Sequence, residues 1–141
     1  MLRYSKGARS ERDLLLKFAS INYSVMRAAG SGINSLSPDI IAIKEDKLLA
    51  FECKAWESNL VIEPNRMESL KTWEKNTRMK TFIAWKIKNK GWFFIKLDEL
   101  SKKGKNFNLT KKQAFEINRG LNVIVEEFGN HENKKIEIIE K

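Results

Sequence analysis

The sequence predicts an α/β fold, a mixed central β-sheet flanked by helices. Apolar residues recur at helical spacing in two segments, over 8–21 and again from Pro64. Around these segments lie short β-branched and aromatic runs bounded by turn-forming residues. The resulting order, α-β-β-β-α-β-β-α, predicts a sheet with helices packed against it. The 141 residues suit one domain, placed over 1–128, with a polar tail over 129–141. A domain of this size buries roughly 68–70% of its unfolded surface and needs no disulfide or metal staple.

Residues 8–21 read as an amphipathic helix, because Ala8, Leu14, Leu15, Phe18, Ala19 and Ile21 share one arc at ~100° per residue. Tyr23 to Arg27 is a short strand. The two glycines of Ala28-Ala29-Gly30-Ser31-Gly32 favour a loop. Pro38 opens a strand over 39–44, Glu45-Asp46-Lys47 turns, and 48–54 returns, so the pair is a hairpin. Residues 55–63 are irregular. Pro64 then suits the first turn of a helix that Met67, Leu70 and Trp73 carry to about Thr77. Strands over 81–87 and 92–97 flank an Asn89-Lys90-Gly91 turn, and Trp85, Trp92, Phe93 and Phe94 upon them are expected in the core. After a basic loop, Thr110 and Gln113 have capping-box spacing, which starts a helix over 111–119 with Gly120 as its stop.

With 42% hydrophobic and 32% charged residues, the chain is neither a membrane bundle nor disordered as a whole. No apolar run approaches the roughly 20 residues of a bilayer span. The opening Met1-Leu2-Arg3-Tyr4-Ser5-Lys6 lacks the apolar stretch of a signal peptide. A cytoplasmic protein with no membrane partner is therefore expected. Cys53 and His131 are the only residues of their kinds, which leaves no disulfide framework and little room for zinc.

The net charge of +9 is the footprint of a nucleic-acid binder, although a Lys-rich surface of no special purpose has the same balance. Position sharpens the first reading. Residues 101–112 carry five lysines, Lys102, Lys103 and Lys105 among them, with Phe107 in their midst and no acid. The first thirty residues hold six basic groups, including Lys6, Arg9, Arg12 and Arg27, against Glu11 and Asp13.

Glu11 falls inside the apolar arc of the first helix, where a carboxylate is costly to bury unless it is paired, capped or bound to a metal. An acid in a helix's first turn also interacts well with the dipole, so a structural role stays open. The hairpin brings Asp39, which heads its first strand, opposite the end of the second, where Glu52 and Lys54 share a face. Two carboxylates and a lysine thus converge. A structural ion pair at a sheet edge is one explanation. A hard cation such as Mg²⁺ between the carboxylates, with lysine acting on a nucleophilic water or an attacked phosphate, is the other.

Pro38-Asp39 followed after twelve residues by Glu52-Cys53-Lys54 resembles the Pro-Asp…(Asp/Glu)-x-Lys signature of the restriction-endonuclease-like nucleases. More narrowly, Lys6-Gly7-Ala8-Arg9-Ser10-Glu11-Arg12 is similar to the opening motif of archaeal-type Holliday junction resolvases. Val25-Met26-Arg27-Ala28-Ala29-Gly30-Ser31 and Gly91-Trp92-Phe93-Phe94-Ile95 resemble its later segments. The likeness runs in order over about residues 3–97. It departs in a longer stretch between Ser31 and Asp39, and in Asn65-Arg66-Met67, which stand where many relatives have a Gln.

The resemblance implies a restriction-endonuclease-like core and a Mg²⁺-dependent endonuclease (Mn²⁺ substituting) that cuts four-way DNA junctions in recombination and repair. It implies that Asp39 and Glu52 bind the metal, that Glu11 completes the acidic cluster and that the Cys53 carbonyl is a further ligand. Lys54 would act on the water or the phosphate, Ser31 would assist cleavage, and Arg12 and Arg27 would hold the DNA backbone. Symmetric nicking implies a homodimer, since a two-fold dimer supplies two sites. Two other readings stay open: a related nuclease acting on another DNA structure or sequence, and a basic DNA-binding module without catalysis. The converging acids, which face phosphate to no purpose in a pure binder, argue against the module.

Overall fold

In a computed structural model of the chain, the described residues are 2–28 and 36–129, with side chains described over 8–28 and 36–128. Helix α1 (Leu2–Ser20) begins six residues earlier than its apolar arc suggests and stops one residue sooner. Its end is a Schellman closure. Asn22 takes the left-handed conformation at φ 72°, and the amides of Asn22 and Tyr23 donate back to the carbonyls of Ala19 and Phe18. Leu14 and Phe18 are fully buried, but Ala19, expected in the arc, is exposed.

Strand β1 (Ser24–Arg27) runs antiparallel to β2 (Ile40–Lys44), with Arg27 opposite Ile40. Strands β2 and β3 (Lys47–Lys54) form the expected hairpin, with Ile40 opposite Phe51; Glu45 turns it at φ 57°. The segment expected to be irregular contains a three-residue strand, β4 (Leu60–Ile62), too short to show a period. Helix α2 (Pro64–Thr77) has the expected bounds and carries the chain across to β5 (Lys80–Ile87), which lies parallel to β3. Strand β6 (Gly91–Lys96) returns antiparallel to β5, and Gly91 at φ 90° closes the turn between them, where a side chain would be strained. The five-stranded mixed sheet has the order β1-β2-β3-β5-β6.

The basic segment is not a plain loop. After a 3₁₀ turn at Leu97–Glu99 it forms β7 (Ser101–Lys103) and β8 (Asn106–Leu109), turned at Gly104, and these pair with β4 in the order β4-β8-β7. All three residues of β7 are exposed, so no apolar alternation marks it, and lysines on an outer strand discourage edge pairing. Helix α3 (Lys111–Ile117) has the expected capping box at Thr110 and Gln113. It ends at Asn118, not Gly120, because Asn tolerates the left-handed φ of 50°. Gly120 instead precedes a further turn, α4 (Leu121–Ile124), which widens into a π turn at Val125–Gly129. The rest of the expected tail, 130–141, lies outside the described residues.

Alternation along the strands divides the core between the two faces of the sheet. Ile83, Trp85, Ile87, Phe93 and Ile95 join Met67 and Leu70 of α2 and Leu60 and Ile62 of β4. Leu49, Phe51, Phe82, Ala84, Trp92 and Phe94 join Leu14 and Phe18 of α1 and Ile124. Each fully buried large apolar side chain contributes about 1.5–3 kcal/mol of transfer free energy. Trp85, Trp92, Phe93 and Phe94 are buried as expected; Trp73 is only half-buried, its indole N–H directed at the Met79 sulfur.

Candidate active site

The open end of the β2–β3 hairpin gathers the acidic residues. Pro38 is buried and hands Asp39 to the start of β2. The register places Asp39 across from the end of β3, where its Oδ2 accepts the backbone N–H of Cys53 at 2.9 Å. Glu52, one residue earlier on β3, turns to the α2 face of the sheet, beside Ile83 of β5, and is 4% exposed. A carboxylate that deep must be paired. Arg66, in the first turn of α2, supplies the pairing: Nε donates to Oε2 at 2.8 Å and Nη2 to Oε1 at 2.5 Å. The same Nη2 also donates to the Ser37 carbonyl at 2.7 Å, which ties the residue before Pro38 to the helix.

Lys54 follows on the same face as Glu52. Its ammonium lies 3.8 Å from Glu52 Oε2 and 5.0 Å from the centre of the Trp56 ring. Trp56 is part-exposed, but its backbone carbonyl accepts the indole N–H of the buried Trp85 at 3.0 Å, which anchors this stretch to the core. The lysine is thus held between a carboxylate and an aromatic face, with its ammonium still reaching solvent.

Burial pushes the Asp39 carboxyl up to about 7, reinforced by the negative charge of Glu52 and, more weakly, of Glu11; the Cys53 amide and Arg66 oppose the rise without cancelling it. Burial, together with Asp39 and the other acids, also pushes the Cys53 thiol well above its ordinary value, so this sulfur is not a poised nucleophile. The acids are matched in number by nearby cations, Arg66 and Lys54 on Glu52 and Arg27 on Glu11, so burial rather than excess charge is the main cause of both rises. The carboxylate oxygens of Asp39 and Glu52 are hard donors of the kind a small divalent cation takes, although both Glu52 oxygens already accept bonds from Arg66. Among the described residues no three Asp, Glu, His or Cys side chains close into a metal-holding group. Two carboxylates still fit Mg²⁺, which commonly takes one or two and keeps several waters.

Asp39, Glu52 and Lys54 are therefore brought together. Glu11 is one strand further off: its Oε1 accepts Arg27 Nε at 3.0 Å, and its charge is felt at Asp39. Arg9 and Arg12 are exposed on α1, and Arg27 lies at the end of β1. Lys102, Lys103 and Lys105 are exposed on the β7–β8 hairpin. The side chain of Lys6 and the whole of Ser31 lie outside the described residues. Sequence reasoning did not single out Arg66 or Trp56 for the site. The available signal was the position of Arg66 just inside a helix that starts soon after the Glu52-Cys53-Lys54 strand.

The family described as archaeal Holliday junction resolvase (Hjc) matches residues 2–128. The crossover junction endodeoxyribonuclease Hjc of Archaeoglobus fulgidus is 34% identical over 107 residues, 74% of this chain and 79% of that one. The protein of the same name from Methanocaldococcus jannaschii is 30% identical over 112 residues, covering 78% and 80%. The solved structure of Archaeoglobus fulgidus Hjc, a Holliday junction resolvase, superposes with a TM-score of 0.68 at 30% identity, over 75% of this chain and 88% of that one. A bacterial homing endonuclease, at 14% identity and a TM-score of 0.56 over 93% and 98%, shares the fold alone. The mixed sheet, the acid-headed hairpin and a match along nearly the whole described chain converge, and the chain belongs to the archaeal Holliday junction resolvase (Hjc) family.

Proposed function

We propose that this chain is a structure-selective endonuclease that resolves four-way DNA junctions in recombination and repair, as a two-fold homodimer using Mg²⁺, with Mn²⁺ able to substitute. The observation that carries the reading is the meeting of Asp39, Glu52 and Lys54 at one hairpin end, in a chain that its family matches over residues 2–128.

Asp39, Glu52 and the Cys53 carbonyl would hold the ion, which when bound supplies positive charge where negative charge builds on the scissile phosphate. The remaining work falls to the chain. Lys54, steadied by Glu52 and Trp56, presents its ammonium to the attacking water and the pentavalent phosphate. Glu11 extends the acidic cluster, and Ser31, which lies outside the described residues, would assist cleavage. Lys6, Arg9, Arg12 and Arg27 hold the phosphate backbone near the cut, and Lys102, Lys103 and Lys105 grip a duplex arm. A two-fold pair of such sites cuts two strands symmetrically. No helix among the described residues is long and apolar enough to cross a membrane, and the enzyme works where the DNA is, in the cytoplasm.

The test is incubation with labelled duplex, flap and four-way junction, with Mg²⁺ or with EDTA. Paired, symmetric cuts confined to the junction and to the Mg²⁺ reactions are expected. Duplex or flap cut as fast as junction would overturn the substrate assignment, and cleavage in EDTA would overturn the metal.

A further inference from the structure

The cation that already sits on Glu52 belongs to the chain itself. Arg66 engages both carboxylate oxygens, through Nε at 2.8 Å and Nη2 at 2.5 Å. Helix electrostatics do not explain an arginine here. The N-terminal turn of α2 already presents free N–H groups and the positive end of the dipole, and it carries no acid. The buried Glu52 explains it, since a carboxylate this deep without a counter-charge is strongly unfavourable. The guanidinium also has a second anchor that does not depend on Glu52, the Ser37 carbonyl at 2.7 Å.

Resting on the reading of Asp39 and Glu52 as metal ligands, we propose that Arg66 is a built-in competitor of the divalent cation: it satisfies Glu52 when the ion is absent and must give up at least one Glu52 oxygen for the ion to bind. Octahedral Mg²⁺ or Mn²⁺ needs a ligand oxygen at about 2.0–2.1 Å, and the guanidinium already takes one acceptor side of each Glu52 oxygen and crowds that approach. Both partners are positive, so joint occupancy is opposed by charge as well as by space. The tether to Ser37, two residues before Asp39, keeps the displaced side chain at the rim of the site. The free enzyme thus stays folded with a buried acid, at the cost of weaker metal binding.

The experiment is calorimetric titration of the full chain with Mn²⁺ alone, without DNA, comparing the native protein with Arg66→Gln, Arg66→Lys and Glu52→Gln. Arg66→Gln is expected to bind Mn²⁺ about tenfold more tightly or better, a change of about 1.4 kcal/mol. Arg66→Lys, which keeps the charge but not the fork, should fall between it and the native protein. Thermal melts supply a second reading. Without metal Arg66→Gln should melt lower than the native protein, because Glu52 loses its two direct bonds and keeps only the looser contact with Lys54, and saturating Mn²⁺ should raise its melting temperature by more. Unchanged or weaker Mn²⁺ binding in Arg66→Gln, with binding still abolished by Glu52→Gln, overturns the competition alone and makes Arg66 a support of the ligand. Mn²⁺ binding that survives Glu52→Gln, or is absent from the native protein, overturns the metal assignment and the competition with it.

Discussion

The backbone N–H of Cys53 donates to Oδ2 of Asp39 at 2.9 Å, so the second strand of the hairpin grips the carboxylate that heads the first. That bond fixes the carboxylate, but it does not offset the burial and the neighbouring acids that hold its proton up to about 7.

A pH-dependent stability follows. Asp39 has a folded value near 7 against an ordinary 3.8, so the folded state holds its proton more tightly than the unfolded chain. Below about 4 both states are protonated and nothing is lost. As pH rises toward 7 the unfolded state gains by ionising, and stability falls until it levels off above 7. Asp39→Asn removes this loss. Without divalent ions the mutant should exceed the native protein by about 1–3 kcal/mol at pH 8 and match it near pH 4, as melting curves at the two pH values would show.

Cleavage should respond in the opposite sense. Asp39→Asn or Glu52→Gln should abolish Mg²⁺-dependent cutting of a labelled junction while binding of the junction survives or tightens, because each removes one acid that repels phosphate. Cutting at the native rate by either mutant would remove that residue from the metal site.

Lys54 separates catalyst from structural partner with one substitution. Glu52 keeps its two bonds to Arg66 when Lys54 is removed, and the ion pair with Lys54 is looser, at 3.8 Å, and part-exposed. Lys54→Ala should therefore cost less than about 1 kcal/mol of stability. The single-turnover cleavage rate should nevertheless fall 10²-fold or more, about 3 kcal/mol, with junction affinity nearly unchanged. A clear drop in melting temperature with full-rate cleavage would make it structural.

The lysines of the β7–β8 hairpin are all exposed and carry a different expectation. Changing Lys102, Lys103 and Lys105 together to Ala should leave the fold intact and flatten the salt dependence of junction binding. Each phosphate that a lysine no longer neutralises lowers the log–log slope by about 0.9 on duplex arms. A slope identical to that of the native protein would mean the hairpin does not touch the backbone.

Much of the architecture is legible along the chain alone. Pro64 and the apolar spacing of Met67 and Leu70 place α2 at its observed bounds, and β-branched runs around a polar turn place the β2–β3 hairpin. These signals are local, because each element's own residues repeat with its own period. The β4-β8-β7 sheet is not legible in this way. Its strands are only three or four residues long, β7 faces water on both sides, and the sheet exists because Leu60 and Leu109 meet across a long stretch of chain. Gly120 misleads because a glycine after a capped helix usually ends it, whereas Asn118 has already done so.

The candidate residues and their positions can be read along the chain: Asp39 at the head of one strand, Glu52 and Lys54 on alternate positions of the next, Glu11 on the apolar side of α1. Which charge meets which depends on how the elements pack together. Arg66 reaches Glu52 because α2 crosses the sheet with its first turn over the end of β3, and Glu11 meets Arg27 because α1 packs where β1 ends. Periodicity is a property of one segment and can be read along it. The partner of a buried charge depends on sheet register and helix placement, which are set by how the whole core packs.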